Sequence, residues 1–121
     1  MKRHIVVLGA SSKPERYANR AVRMLLQRDY RVTPVHPVEK IIEGLPVVSS
    51  LDEVTEPVDT LTVYVSLEAS MSVAEAILHL RPGRVIFNPG AENPVLMKRL
   101  EQKGIRVEEA CTLVLLSTGG F

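Results

Sequence analysis

Two rhythms of apolar and polar positions run through this chain. Ile5-Val6-Val7-Leu8 is a continuous apolar run, which reads as a short strand buried on both faces. Gly9 ends it. From Tyr17 onward, Ala18, Ala21, Val22 and Leu25 recur at i, i+3, i+4 and i+7 with Arg20, Arg23 and Gln27 between them, which is helical spacing. Pro14 lacks an N–H and suits only the first turn of a helix, so the helix is predicted to begin at or just after it, with Ser12 or Lys13 as the cap. Strand, glycine turn and helix together form the front of a phosphate-binding βαβ unit. There, free backbone N–H groups and the positive end of the helix favour an anion.

The same rhythms continue to the C-terminus. Arg31 to Pro37 is predicted as a second strand, and Pro34, which gives no ladder N–H, puts part of it near an edge or at the strand's end. Residues 38–46 read as a connecting loop, Val47-Val48 as a brief pairing, and Leu51 to Val54 as one helical turn capped by Ser49 or Ser50. Thr60 to Val65 is a third strand. A helix from Ser66–Ser72 through Leu80 follows, with Val73, Ala76, Ile77 and Leu80 on one face and Pro82-Gly83 as its stop. Arg84 to Asn88 is a fourth strand, turned by Pro89-Gly90. Asn93-Pro94 supplies a cap and first position for a helix over Val95 to Lys103, closed by Gly104. Ile105 to Val107 or Glu108 is a fifth strand, and residues 110–117 are a closing helical turn or extension.

Five short strands with helical connections demand a mainly parallel five-stranded sheet, doubly wound, with helices on both faces, in a single α/β domain over residues 1–121. Ligands of such folds bind beyond the carboxyl ends of the strands, at the switch point. That edge gathers Gly9 to Tyr17, Val35 to Lys40, Tyr64 to Leu67, Asn88 to Asn93 and the stretch containing Cys111.

Composition narrows the class. With 121 residues, 45% hydrophobic and 24% charged, the chain is large enough for one real core and is neither disordered nor membrane-embedded. No apolar run exceeds six residues, and the start leads straight into a strand rather than a signal sequence. A cytoplasmic protein with no membrane or nucleic-acid partner is the expectation. The lone Cys111 can form no internal disulfide, in keeping with a reducing compartment. Net charge is +1, but residues 1–40 carry nine Lys or Arg against three acids while residues 41–121 carry six against eleven. Arg20, Arg23 and Arg28 read as solvated charges of a helix face. Lys13, Arg16 and Lys40 fall instead beside the glycine turn, where a basic end suits a polyanionic small molecule.

The identity of the anion is constrained by what is missing. The turn reads Gly9-Ala10-Ser11-Ser12-Lys13-Pro14, not GxGxxG, and the second strand ends Pro34-Val35-His36-Pro37 without an acid to hold the ribose of NAD. No Gly-Lys-Ser/Thr marks a P-loop. The sequence resembles the small CoA-binding domain proteins related to the CoA-binding domain of the succinyl-CoA synthetase alpha subunit. The resemblance lies in Val7 to Ala21, Val35-His36-Pro37, Glu43 to Val47, Asn88 to Pro94 and Ala110 to Leu116, and spans nearly the whole chain. It implies a Rossmann-like domain that binds coenzyme A, with the glycine turn at the diphosphate and the second strand's end near the adenosine. The candidate ligand contacts, from the resemblance and the predicted loops together, are Gly9, Ala10, Ser11, Ser12, Lys13, Arg16 and Tyr17 at the turn, with Val35, His36, Pro37 and Lys40 beyond the second strand. Tyr64, Ser66, Pro89, Gly90 and Asn93 complete the set. The chain departs from the family in His36, where Asn is commoner, and in Tyr64-Val65-Ser66, which replaces a Phe-Arg-Pro-type stretch.

Other candidate chemistry is sparse. His4 and His79 read as structural or solvent-facing, and His36 as a stacking or hydrogen-bonding group rather than a base. Cys111 reads as a buried small hydrophobe, with the sharper alternative of a mixed disulfide with a pantetheine thiol. No His, Cys and acid cluster has metal spacing. The reading is a CoA or acyl-CoA binding protein without a catalytic centre, a homo-oligomer or not. Its competitors are a nucleotide-dependent oxidoreductase, an acyl-transfer component completed by a partner chain, and a scaffold with a vestigial pocket.

Overall fold

The computed structural model describes residues 2–121. The elements in chain order are β1 (His4–Leu8), α1 (Tyr17–Gln27), β2 (Arg31–Val35), β3 (Ile41–Ile42), β4 (Leu45–Pro46), a 3-10 turn (Leu51–Glu53), β5 (Thr60–Val63), α2 (Leu67–Ser72), α3 (Ala74–Leu80), β6 (Arg84–Phe87), α4 (Pro94–Gln102), β7 (Arg106–Glu109) and α5 (Thr112–Thr118). Five strands form one parallel sheet in the order β2-β1-β5-β6-β7, and β3 and β4 form a separate antiparallel pair. The expected Rossmann-like α/β architecture is therefore present. The chain crosses from β1 to β2 on one side, then returns to lay β5 on the other, so the switch point lies between the carboxyl ends of β1 and β5.

Register sorts the core into two layers. Val6, Leu61 and Val85 are Cα partners and so share a face with Leu8, Val63 and Phe87. That face packs against Leu51, Ile77, Leu78, Leu96 and Leu100 from the 3-10 turn, α3 and α4. Ile5, Val7 and Val32 point the other way, onto Val22 and Leu25 of α1 and Leu116 of α5. All five β1 residues are buried, as a central strand covered on both faces requires. β2 is an edge strand, and Pro34 contributes its carbonyl to Val48 N–H outside the sheet, where Val48 bridges Val35. The brief pairing read at Val47-Val48 is this bridge.

Three details differ from expectation. The first helix, expected at or just after Pro14 with Ser12 or Lys13 as cap, starts at Tyr17; its cap position is Arg16, which makes no side-chain capping bond. Ser11 Oγ accepts instead from Lys13 N–H, and Arg16 N–H closes a turn onto Lys13 O. The helix expected through residues 66–80 breaks at Val73 into α2 and α3. Ser70 Oγ and Ser72 Oγ donate to Leu67 O and Ala69 O, hydroxyls competing for helical carbonyls next to a β-branched residue. Residues 38–46 contain the β3–β4 hairpin, whose central Glu43 and Gly44 both have positive φ, the condition of a two-residue hairpin turn. Residues 112–118 are helical. Asn93 and Pro94 cap and open α4 as predicted.

Candidate functional site

Gly9 leaves β1 at the switch point with φ +86°, a left-handed conformation that glycine adopts without strain. A Cβ there would stand 2.8 Å from Val65 Cγ1 and 3.2 Å from the Tyr64 carbonyl carbon. Glycine is thus demanded by the neighbouring strand end, and not by open space for a ligand. The turn's first two amides are also committed: Gly9 N–H and Ala10 N–H both donate to Val35 O, at 3.2 Å each. These two groups are not the free donors that the strand–turn–helix pattern leads one to expect. Ser12 N–H lies further out and donates to Glu39 Oε2 at 3.2 Å.

Asn19 holds the turn in shape. Fully buried among the apolar residues of α1, it donates from Nδ2 to Ser11 O (2.9 Å) and to Glu43 Oε2 (3.0 Å) and accepts at Oδ1 from Arg23 Nε (2.8 Å). Arg23 then donates to Pro14 O at 2.9 Å. The hairpin, the turn and α1 meet at one amide. Arg23 is correspondingly not the solvated charge that its place among Arg20 and Arg28 indicates. Arg28 also donates inward, to Leu116 O, while Arg20 lies over the exposed Tyr17 ring at 5.5 Å. The signal missed in the sequence is a polar pair four residues apart, with Asn19 on the edge of the apolar stripe.

Beyond β2, His36 shapes the loop that carries Glu39. Its Nδ1 accepts from Val38 N–H and Glu39 N–H at 3.1 and 3.0 Å, and its Nε2 lies 3.8 Å from Glu39 Oε2. The Ser12 hydrogen bonds, with the charges of His36 and Lys13 nearby, hold the Glu39 carboxyl below the usual range. An acid therefore does face the turn, supplied three residues past the position where the second-strand pattern lacks one. Lys13, Arg16 and Lys40 are exposed and form no ion pair among the described residues. Lys40 is near enough to Glu53 to help lower that carboxyl, whose main cause is the Ser49 N–H.

A cavity of about 290 Å³ opens beside Gly9, between the ends of β1 and β2, the 3-10 turn and the segment that follows β5. Its walls are mostly apolar, from Leu8 and Val35 at the strand ends, Leu51, and Val65, Val73 and Ala76 of the β5–α3 segment, with Pro37 on the rim. It adjoins the turn and the base of the His36–Lys40 loop. Ser66 is exposed and accepts from Ala69 N–H to cap α2, while Pro89 and Gly90 are exposed further along the same edge.

Tyr64 and Asn93 are turned inward. The Tyr64 side chain packs in the layer under α1 and α5, its hydroxyl buried without a partner among the described residues, and burial pushes it up to about 12. Asn93 accepts from Leu96 N–H and donates to Ser70 Oγ. Neither side chain offers a free polar group at the edge. Asn88 bonds Thr62 Oγ1, Val63 O and Thr112 N–H, so it fastens α5 to the sheet. Cys111 is half-buried at the cap of α5 rather than in the core. His4, buried, contacts Pro57 O and Thr33 Oγ1 and is structural. Among the described residues no group of three or more His, Cys, Asp and Glu could hold a metal ion. Nor, among those residues, is any helix long and apolar enough to cross a membrane.

Residues 3–117 match the sequence model of the CoA binding domain. The chain belongs to the CoA-binding domain family. A structure from Thermus thermophilus shares 36% identity with this domain, with a TM-score of 0.90 over 99% of this chain and 91% of that one. The uncharacterized protein YneT of Bacillus subtilis is 28% identical over 102 residues, which is 84% of this chain and 76% of YneT. The dinucleotide-forming acetyl-coenzyme A synthetase 1 of Ca. Korarchaeum cryptofilum contains the same fold, with a TM-score of 0.75 at 22% identity, over 88% of this domain and 25% of the synthetase.

Proposed function

We propose that this CoA-binding domain holds coenzyme A or an acyl-CoA at the carboxyl edge of its sheet, as a binding protein without a catalytic centre of its own. The observation that carries the reading is an apolar cavity opening directly beside a glycine turn, with Lys13, Arg16 and Lys40 on the adjoining loops exposed and unpaired among the described residues. A cavity of about 290 Å³ sits at the lower end of the ligand-pocket range and suits one planar base. The adenine would enter between Leu51 and Val73. Ser12 N–H, Lys13 and Arg16 would hold the diphosphate, and Lys40 the 3′-phosphate, each as a charge-assisted contact. Val35, His36 and Pro37 would border the adenosine. Tyr64 and Asn93 would act by positioning the strand ends and α4. Tyr17, Ser66, Pro89 and Gly90 would flank the path of the pantetheine arm.

Titration calorimetry with CoA, dephospho-CoA, NAD and NADP tests this. CoA should bind at micromolar or tighter, with NAD and NADP at least about tenfold weaker. Tighter binding of NAD would sink the proposal.

A further inference from the structure

We infer that Glu39 is a resident anion of the glycine turn, a carboxylate that the ligand's diphosphate must displace from Ser12 N–H, and that it thereby sets which anions this site accepts. The inference rests on the CoA reading for its ligand and on this chain's own contacts for its geometry.

Glu39 already has the surroundings a phosphate would seek. Ser12 N–H donates to Oε2 at 3.2 Å, His36 Nε2 stands 3.8 Å from the same oxygen, and the charge of Lys13 acts on it. The loop is built to deliver it, because His36 Nδ1 ties the Val38 and Glu39 amides into one bend. Yet the contact is exchangeable, with Ser12 its hydrogen-bonding partner and a side chain 27% exposed. Glu43 differs, since Asn19 Nδ2 holds its carboxylate. One neighbouring acid is a fastening and the other is a plug.

Selectivity follows from competition. A lone phosphate must displace Glu39 with only the turn's own contacts in return. A ligand that also fills the apolar cavity and reaches Lys40 brings further binding free energy to the same displacement. The resident carboxylate therefore weakens every anion by the same displacement, and only a ligand with those further contacts still binds at useful concentration. The contrary possibility is that Glu39 accepts hydrogen bonds from a ligand's ribose hydroxyls, as acids beyond the second strand do in dinucleotide folds.

The test uses the whole chain and the variants Glu39→Gln and Glu39→Ala, with Glu101→Gln on α4 as a remote change of equal charge. CoA and inorganic pyrophosphate are titrated by calorimetry, and the Ser12 amide is followed by ¹H–¹⁵N NMR. CoA should bind Glu39→Ala about fivefold tighter than the parent, the scale on which exposed charge contacts act. Pyrophosphate should gain at least as much, and Glu101→Gln should change neither. The parent's Ser12 amide should shift on adding CoA, and the unliganded Glu39→Ala amide should already differ from the parent's. Equal or weaker CoA binding by folded Glu39→Ala and Glu39→Gln, with the parent binding normally, overturns the inference. If neither parent nor variant binds CoA, the CoA reading fails instead. Pyrophosphate then decides the inference: a gain in Glu39→Ala upholds it, and no gain overturns it.

Discussion

Replacing Asn19 with alanine removes three hydrogen bonds at once from a fully buried position. Two of the partners, Glu43 and Arg23, are charged and the third is the Ser11 carbonyl. Bonds to charged groups are worth roughly 1.5–3 kcal/mol and neutral ones about 1 kcal/mol. Glu43 and Arg23 are partly in water and would recover some hydration, so the lower end applies. The expected loss is about 4 kcal/mol, or about 15 °C in melting temperature for a domain of this size. Asn19→Asp should be worse despite its closer shape. It loses both donors, and its carboxylate would face the Glu43 carboxylate and the Ser11 carbonyl. Thermal unfolding by circular dichroism ranks the variants, and amide exchange at Ile42 and Leu45 reports whether the hairpin loosens. An Asn19→Ala protein within about 0.5 kcal/mol of the parent, the ordinary range of an unimportant surface change, would refute the bracing role. So would Asn19→Asp being the milder substitution.

Gly9→Ala should lower the melting temperature before it affects any ligand, because φ is +86° and the new methyl would meet Val65 Cγ1 at 2.8 Å. Adding Val65→Ala should restore part of the loss, and no restoration would show that the clash is not the cause. Lys13→Ala and Arg16→Ala should each weaken CoA by about tenfold with melting unchanged, whereas Arg23→Ala should lower both affinity and melting temperature because it props Pro14 and Asn19. Added salt should erase much of the Lys13 effect and little of the Arg23 effect; identical salt responses would contradict the division. The Asp59 carboxyl is lowered chiefly by its hydrogen bond from Arg3. A depressed carboxylate stabilises the fold above its unfolded-state pKa and loses that contribution as pH falls through the folded value. Denaturant midpoints should therefore hold steady from neutrality to about pH 5 and fall below about pH 4, with a shallower fall in Asp59→Asn. An unchanged acid limb in that variant would assign the loss to other carboxyls.

Local signals made the strands and most helices readable. Ile5 to Leu8, Asn93-Pro94 and Pro34 each carry their meaning within a few residues, through continuous burial, capping and a missing donor. The destinations of the turn's amides were not readable. Gly9 and Ala10 both give their hydrogens to Val35 O, a partner fixed only when β1 and β2 pair in register. Asn19 reads as a helix residue because its partners, Ser11, Arg23 and Glu43, belong to three different segments. The same holds for Glu39, which lies 27 residues from Ser12. The pattern located the site's edge; the folded chain decided which of its polar groups are already spent.

The two ends of the sheet differ in how their polar groups are spent. At the amino end, His4 is bonded on both ring nitrogens, Arg3 pairs with Asp59 at 2.8 Å, and Arg31 pairs with Glu56. Arg84, with its side chain 5% exposed, donates to Thr60 Oγ1 and lies 4.5 Å from the Phe121 ring centroid, and burial pushes its pKa down. Arg84 serves the fold, because a buried charge released from its partners costs more than the contacts contribute, whereas the exposed Arg3 and Arg31 pairs contribute little. At the carboxyl end, Lys13, Arg16 and Lys40 are unpaired among the described residues, and Glu39, which bonds the turn itself, is held by contacts an incoming anion can replace. Three exposed cations on the loops around the glycine turn leave electrostatic binding capacity where the strands end. Those cations, more than the glycine itself, fit the edge for a polyanionic ligand.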